Sequence, residues 1–191
     1  CLSYVGGYDQ YNQEILNPES ELYRFEPEIT FLIIDSKNLL KENYDVFYTK
    51  SIEQRKKFVD QKLEELINLV KKFVEKSKSK IVISNLSIPS NSPLGILETK
   101  DYGIAQMILD FNEKLKTRLK DYVSVYVYDL FQFYYKFGEQ NISDPQKIAI
   151  GDIKISFDYI PYLAEEFLGY IKPILGLNKK CIVLDLDNTL W

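Results

Sequence analysis

The chain has 191 residues, of which 46% are hydrophobic and 14% aromatic, so we expect one compact core and at most the start of a second. Its formal net charge of −4 lacks the basic surface that nucleic-acid binding requires, which excludes nucleic acid as an expected partner. The chain contains no histidine, which excludes Ser-His-Asp and Cys-His catalysis and any histidine-containing metal site built from this chain alone.

Four short runs along the chain predict parallel β-strands. The runs are rich in β-branched residues and mostly apolar without strict alternation, which is typical of strands buried on both faces. They cover residues 28–35, 80–85, 123–130 and 180–185.

Amphipathic helices are predicted between these strands, over residues 51–76, 102–120 and 159–175, each with one apolar stripe at helical period. The first opens with Ser51 and Gln54 at capping-box spacing. The alternating order of strands and helices predicts an α/β fold of three layers, doubly wound around a mainly parallel sheet.

Two segments show weaker patterns. Residues 138–152 form a polar stretch that we expect to be a loop. The tyrosine-rich segment 4–23 has too little periodicity to be assigned.

A pair of carboxylates follows the last predicted strand. Asp185, Asp187 and Thr189 form a DxDxT pattern that resembles the first motif of the haloacid-dehalogenase (HAD) superfamily. This resemblance implies that Asp185 attacks a phosphoryl group to form an aspartyl phosphate, and that Asp187 acts as general acid and then base. It also implies that the Asp185 carboxylate and the Asp187 backbone carbonyl hold Mg²⁺, while Thr189 orients the loop.

The alternative interpretation of this acidic cluster is a turn and helix cap, since Asp, Asn and Thr all favour such positions. A longer match favours phosphotransfer. Residues 179–191 resemble the KxLVLDLDNTLW signature of the FkbH-like family, HAD subfamily IIIC. Residues 11–16 and 20–25, with Asn112 and Leu115, are more loosely similar to the N-terminal region of that family.

The FkbH-like resemblance implies a two-domain protein. Residues 1–178 would be an N-terminal domain with a flavodoxin-like, SGNH-hydrolase-like fold whose first strand is missing, and residues 179–191 would begin a HAD domain. The resemblance also implies an activity, because the best understood members take a glyceryl group from a small phosphorylated substrate, a phosphorylated glycerate. They remove the phosphate and load the acyl unit onto an acyl carrier protein for polyketide extender-unit synthesis. We expect later HAD motifs beyond Trp191, and no turnover by residues 1–191 alone.

The upstream region lacks the motifs of an active SGNH esterase. No GDS block occurs, and the nearest match to GxND is Asp35 to Asn38, in which Asp replaces Gly. The segment 151–155, near the expected DxxH, contains no histidine. We therefore predict an esterase-like scaffold without esterase chemistry.

Four further features have both a functional and a structural interpretation. Asn85 and Asp129 end predicted strands at the sheet edge where ligands collect, but both are typical strand-end caps. The aromatic run 126–137 could be a recognition surface, although core packing explains it better. The lysine-rich stretch 71–80 could dock an acidic carrier protein, or it could be a solvated helix end.

The leading hypothesis is an FkbH-like phosphatase and acyltransferase, and the alternative is a non-catalytic module that binds a substrate or carrier.

The two cysteines, Cys1 and Cys181, are far apart, which favours reduced thiols and a cytoplasmic location. No apolar run approaches the length that a bilayer requires, so a membrane association is not expected.

Overall fold

The computed structural model of the protein describes residues 2–41, 44 and 46–178. The chain forms two compact units, Cys1–Ser156 and Phe157–Trp191, and the second is described as far as residue 178. The predicted strand at 180–185 and the DxDxT loop lie outside the described residues. The predicted domain boundary between residues 178 and 179 therefore stays a prediction.

A parallel sheet of three strands forms the centre of the described part of the first unit. The strands, in the spatial order of the chain, are β1 (Ile29–Leu32), β2 (Lys80–Ser84) and β3 (Val125–Tyr128). Ile81, Val82 and Ile83 of the central strand are all fully buried. Because successive side chains point to opposite faces, both faces of β2 are covered. With the helices that flank it, the sheet confirms the predicted α/β class.

The strands are shorter than their hydrophobic runs, and side chains take over as hydrogen-bond acceptors where β1 and β3 end. Past β1, the backbone N–H of Ile34 donates to Ser84 Oγ at 2.8 Å. Val123 lies in the turn before β3 and is 87% exposed, and Asp129 after β3 accepts from the backbone N–H of Gln132 at 3.0 Å. The apolar character of the sequence predicted that the strands would extend over these residues.

Helices surround the sheet and occupy most of the connections. In the first unit they are α1 (Tyr11–Leu16), α2 (Glu21–Phe25), α3 (Ser36–Leu40), α4 (Ile52–Lys76), α5 (Ile104–Leu119), α6 (Leu130–Phe137), α7 (Glu139–Ile142) and α8 (Pro145–Gly151). A further helix, α9 (Ile160–Ile174), belongs to the second unit. The expected loop at 138–152 was wrong, because it contains α7 and α8. These helices are too short to show a hydrophobic period, and α8 begins with a local signal, the Asp144 carboxylate accepting from Gln146 N at 2.9 Å.

The long helix α4 confirms the predicted capping box. Ser51 Oγ accepts from the backbone N–H of Gln54 at 3.2 Å, and Gln54 Oε1 accepts from that of Ser51 at 2.9 Å. The apolar stripe of α4 packs beside α5 in one hydrophobic core, where Phe73 and Phe111 are fully buried. The predicted amphipathic pattern therefore places both crossover helices in that core.

The described part of the second unit is a single-turn 3₁₀ helix, Phe157–Tyr159, followed by α9. The apolar stripe predicted for α9 is half-buried along its length, at Leu163, Phe167, Tyr170, Ile171 and Ile174. Across the part of the chain that the structure describes, no helix combines the length and apolarity needed to cross a membrane.

Candidate functional site

The predicted catalytic and metal-binding residues Asp185, Asp187 and Thr189 lie outside the described residues, so their roles stay predictions. The described structure instead shows the sheet edge at which parallel strands end. In open α/β folds, ligands bind at the carboxyl ends of the strands. Asp35, Asn85 and Asp129 follow β1, β2 and β3 at this edge.

Asn85 and Asp129, the two weaker candidates, are brought together. The Asn85 side-chain amide donates to Asp129 Oδ1 at 2.8 Å. Asn85 Oδ1 accepts from the backbone N–H of Phe131 at 3.0 Å, and Asp129 caps α6 through Gln132. Both side chains thus satisfy the first turn of α6, which supports their interpretation as caps.

Asp35 lies beside a segment that is distant in sequence. Its Oδ1 accepts from the backbone N–H of Asn38 at 2.9 Å and lies 3.7 Å from Lys154 Nζ. Lys154 Nζ lies 2.6 Å from Asp152 Oδ1. The two segments that most nearly match the GxND and DxxH blocks are therefore neighbours, joined by an ion pair instead of a histidine.

Tyr8, from the unassigned tyrosine-rich segment, completes this arrangement. Its hydroxyl donates to Asp152 Oδ2 and accepts from the Asn38 side-chain amide at 2.9 Å. We call Tyr8, Asp35, Asn38, Asp152 and Lys154 the edge cluster. No spacing in the sequence joins these residues, although Asp35, Asn38 and the 151–155 segment are imperfect matches to the hydrolase blocks.

The edge cluster is electrostatically coupled. The hydrogen bond from Lys154, and then that from Tyr8, lowers the pKa of Asp152. Burial alone would lower the pKa of Lys154, but the hydrogen bond to Asp152 and the charges of Asp35 and Asp152 outweigh it and raise the pKa. Partial burial, followed by the hydrogen bond to Asp152, raises the pKa of Tyr8. At neutral pH the cluster therefore holds a charged Lys–Asp pair and a neutral phenol.

Lys154 is positioned through its backbone. Its carbonyl oxygen accepts from Ser143 Oγ at 3.0 Å and from the Tyr134 hydroxyl at 3.4 Å. Burial raises the pKa of Tyr134 to about 12, so this hydroxyl keeps its proton at physiological pH. The backbone at Lys154, two residues after Asp152, is therefore held in place by two side chains.

The edge cluster offers binding groups but no activated nucleophile. Its carboxylates are paired with Lys154, and no serine, threonine or cysteine belongs to it. Over residues 2–41, 44 and 46–178, no group of three or more His, Cys, Asp or Glu side chains could hold a metal ion. The arrangement is suited to hydrogen bonding of a ligand rather than to hydrolysis.

A shallow pocket of about 410 Å³ lies at the loop that follows β2, and none of its lining residues belongs to the edge cluster. Among its lining residues there is no carboxylate, amine or guanidinium group; they are Tyr44, Pro89, Asn91, Ser92, Pro93 and Ile104. Its chemistry does not compete with that of the edge cluster.

The aromatic run and the lysine-rich stretch have mainly structural surroundings. Tyr128 and Phe133 are 2% and 1% exposed, whereas Tyr135 is 81% exposed, so core packing explains much of the run. At the end of α4, Lys76 Nζ donates to the carbonyl of Leu16 at 3.2 Å, and Lys72 and other nearby lysines are exposed. A carrier-docking role for this stretch stays a prediction.

Comparison with known protein families shows to which family this chain is related. Residues 3–172 match the sequence profile described as FkbH, N-terminal domain. The chain belongs to the FkbH family. A search of curated proteins found no match to this FkbH chain.

A solved structure shares the fold of this FkbH domain. It is the crystal structure of the N-terminal part of the protein BF1531 from Bacteroides fragilis, which contains a phosphatase domain complexed with Mg. The two align with a TM-score of 0.76 and 23% identity, over 96% of this chain and 47% of the other. The FkbH chain described here thus spans about half the length of that structure.

Proposed function

We propose that this chain is the N-terminal part of an FkbH-type HAD enzyme that dephosphorylates a small phosphorylated donor and loads its glyceryl-type acyl unit onto an acyl carrier protein. The observation that carries the proposal is the match of residues 3–172 to the FkbH N-terminal domain, followed directly by the DxDxT pattern at Asp185, Asp187 and Thr189. The phosphatase domain of the Bacteroides fragilis structure supports the same reaction class.

In this proposal the chemistry belongs to the DxDxT residues. Asp185 attacks the phosphoryl group, and Asp187 protonates the leaving oxygen and later takes a proton from the attacking water. The Asp185 carboxylate and Asp187 carbonyl are oxygen donors of the kind that Mg²⁺ prefers, so the donor set fits this ion. When bound, Mg²⁺ would neutralise negative charge on the phosphate.

The described domain would act as a binding scaffold. The edge cluster occupies the place where this fold class binds ligands, but its Lys154–Asp152 pair does not activate a nucleophile. This observation favours the second candidate function, a non-catalytic substrate- or carrier-binding module, as the role of the described part. The cysteine usage adds a cytoplasmic location to the proposal.

Phosphate release from phosphorylated glycerates tests the proposed reaction. The full-length protein would be assayed with and without Mg²⁺, beside Asp185→Asn and a matched control, Asp121→Asn, which changes an exposed carboxylate. We expect Mg²⁺-dependent release by wild type and by the control, and none by Asp185→Asn. Equal release by all three proteins would refute the assignment of Asp185.

Mass spectrometry of an acyl carrier protein tests the second half of the reaction. Incubation with the enzyme and a glycerate that carries both an acyl phosphate and a phosphate ester should add the mass of one glyceryl group to the carrier. The carrier thiol displaces phosphate from the acyl carbon to form the thioester, and hydrolysis at the DxDxT residues releases the ester phosphate. Phosphate release without carrier acylation would reduce the proposal to a phosphatase.

A further inference from the structure

The edge cluster joins three distant parts of the chain through polar side chains. Tyr8 precedes α1, Asp35 and Asn38 surround the start of α3, and Asp152 and Lys154 follow α8. Converging polar side chains at the carboxyl edge of a parallel sheet are the usual sign of a small-molecule site. All of them are within reach of solvent, with Lys154 24% and Asp152 39% exposed at the side chain.

The backbone at Asp152 is consistent with a site that is held in place. Its φ of 53° and ψ of 30° lie in the left-handed region, which is uncommon for a residue other than glycine. Asp152 adopts this conformation where α8 ends, two residues before Lys154, whose carbonyl is held by Ser143 and Tyr134.

The charges of the edge cluster indicate which class of ligand it can bind. Two carboxylates, Asp35 and Asp152, lie beside one ammonium, Lys154, and the charge of the neighbouring Lys37 also acts on Asp152, so the formal charges balance. With the formal charges balanced, neither an anionic nor a cationic ligand meets an excess of opposite charge, and a cationic ligand would also have to displace Lys154 from its 2.6 Å contact with Asp152. The cluster therefore favours a neutral polar group.

The edge cluster contains both hydrogen-bond donors and hydrogen-bond acceptors. Asp152 and Asp35 offer acceptors, Lys154 and the Asn38 amide offer donors, and the Tyr8 hydroxyl can do both. Asp35 Oδ2 and Asn38 Oδ1 have no hydrogen-bond partner among the described residues. Neighbouring hydroxyl groups can each donate to a carboxylate while accepting from an amine or amide, so they match this pattern.

We propose that the edge cluster is a binding site for a neutral ligand, or part of a ligand, that carries adjacent hydroxyl groups. Asp152 and Asp35 accept from these hydroxyls, and Lys154 and Asn38 donate to them. The inference does not rest on the proposed phosphotransfer, because it uses none of the DxDxT residues.

Saturation-transfer NMR on the full-length protein tests the site with two probes of equal carbon number. Erythritol carries adjacent hydroxyls, whereas 1,4-butanediol carries two hydroxyls at opposite ends. We expect a saturable erythritol signal and a much weaker one from 1,4-butanediol. Equal, non-saturating signals from the two probes would overturn the proposal.

Substitutions locate the binding. Asp152→Asn and Lys154→Gln should each weaken erythritol binding about tenfold, the loss expected for one hydrogen bond to a charged group. Tyr8→Phe should weaken binding by a similar factor, because it removes the hydroxyl that hydrogen-bonds to Asp152. Lys57→Gln and Tyr135→Phe change exposed residues of the same types and should leave binding unchanged. Unchanged binding in all three cluster variants would refute the assignment.

Two measurements separate this result from misfolding and from the proposed reaction. Tyr8→Phe removes a single exposed hydroxyl, and its thermal midpoint should match that of wild type, so weaker binding by this variant reports the site itself. Asp185→Asn should abolish phosphate release yet retain erythritol binding. Loss of erythritol binding in Asp185→Asn would place the ligand in the phosphatase domain and overturn the proposal.

Discussion

Asn112 connects helix α5 to the loop that leaves the central strand. Its Oδ1 accepts from the backbone N–H of Leu86 at 2.8 Å, and its Nδ2 donates to the Leu86 carbonyl at 2.8 Å. Leu86 is fully buried and directly follows Asn85 at the sheet edge. Replacing Asn112 by alanine removes both partners at once.

The expected cost follows from the two backbone groups that are left without partners. An unsatisfied buried donor or acceptor costs about 1–3 kcal/mol. Some rehydration is possible because Asn112 itself is half-buried, so we expect Asn112→Ala to lower the free energy of unfolding by about 2–4 kcal/mol. Domains are stable by only about 5–15 kcal/mol, so this loss is large.

Urea denaturation followed by circular dichroism measures the loss. The midpoint should fall while the slope stays constant, because the surface exposed on unfolding does not change. Gln106→Ala is the matched control, since it removes an exposed amide of the same helix that bonds to Asp110 at 3.1 Å, and its effect should stay within about 0.5 kcal/mol.

Hydrogen exchange gives a second, local measurement. The Leu86 amide should lose protection in Asn112→Ala because its acceptor is gone, whereas the amides within β2 should follow only the global change. Equal stability of Asn112→Ala and Gln106→Ala, with Leu86 still protected, would refute the reasoning that the side-chain clamp holds this loop.

Three further predictions concern caps, the strand end and pH. Ser51→Ala should lower stability by about 1 kcal/mol in thermal unfolding, because it breaks the capping box with Gln54. Ser84→Ala should cost about 1–2 kcal/mol in urea, because it leaves the buried N–H of Ile34 without its acceptor. The lowered pKa of Asp152 makes its contribution to stability fully present above its unfolded pKa of about 4 and lost as the pH falls through the lower folded value. Wild type should therefore exceed Asp152→Asn in stability at pH 7, and the two should converge in acid.

Each of these predictions has a control and an outcome that contradicts it. Ser77→Ala, at the other end of α4 where its hydroxyl does not cap the helix N-terminus, should cost less than Ser51→Ala, and the reverse order would count against the capping box. A Ser84→Cys variant, which keeps only a weak acceptor, should lie between wild type and Ser84→Ala. A stability difference between wild type and Asp152→Asn that is independent of pH would show that the ion pair does not shift the titration of Asp152.

The fold class and the main helices could be predicted because their signals are local. The buried run Ile81 to Ile83 predicts a strand covered on both faces, and Ser51 with Gln54 predicts the start of α4, as the structure confirms. The strand ends were less predictable, because Ile34 leaves the ladder for a side chain fifty residues away. The helices at 139–142 and 145–151 were missed because one or two turns carry no measurable hydrophobic period.

The predicted DxDxT site and the edge cluster differ in how far apart their residues lie in the sequence. Asp185, Asp187 and Thr189 lie within five residues, so the sequence alone determined the phosphotransfer hypothesis and the family resemblance that the comparison confirmed. Tyr8 and Asp152 are 144 residues apart, and only the tertiary structure decided that they meet. Parallel strands joined by crossover helices bring distant loops to one edge of the sheet, and the sequence between those loops carries no record of which side chains will face each other there.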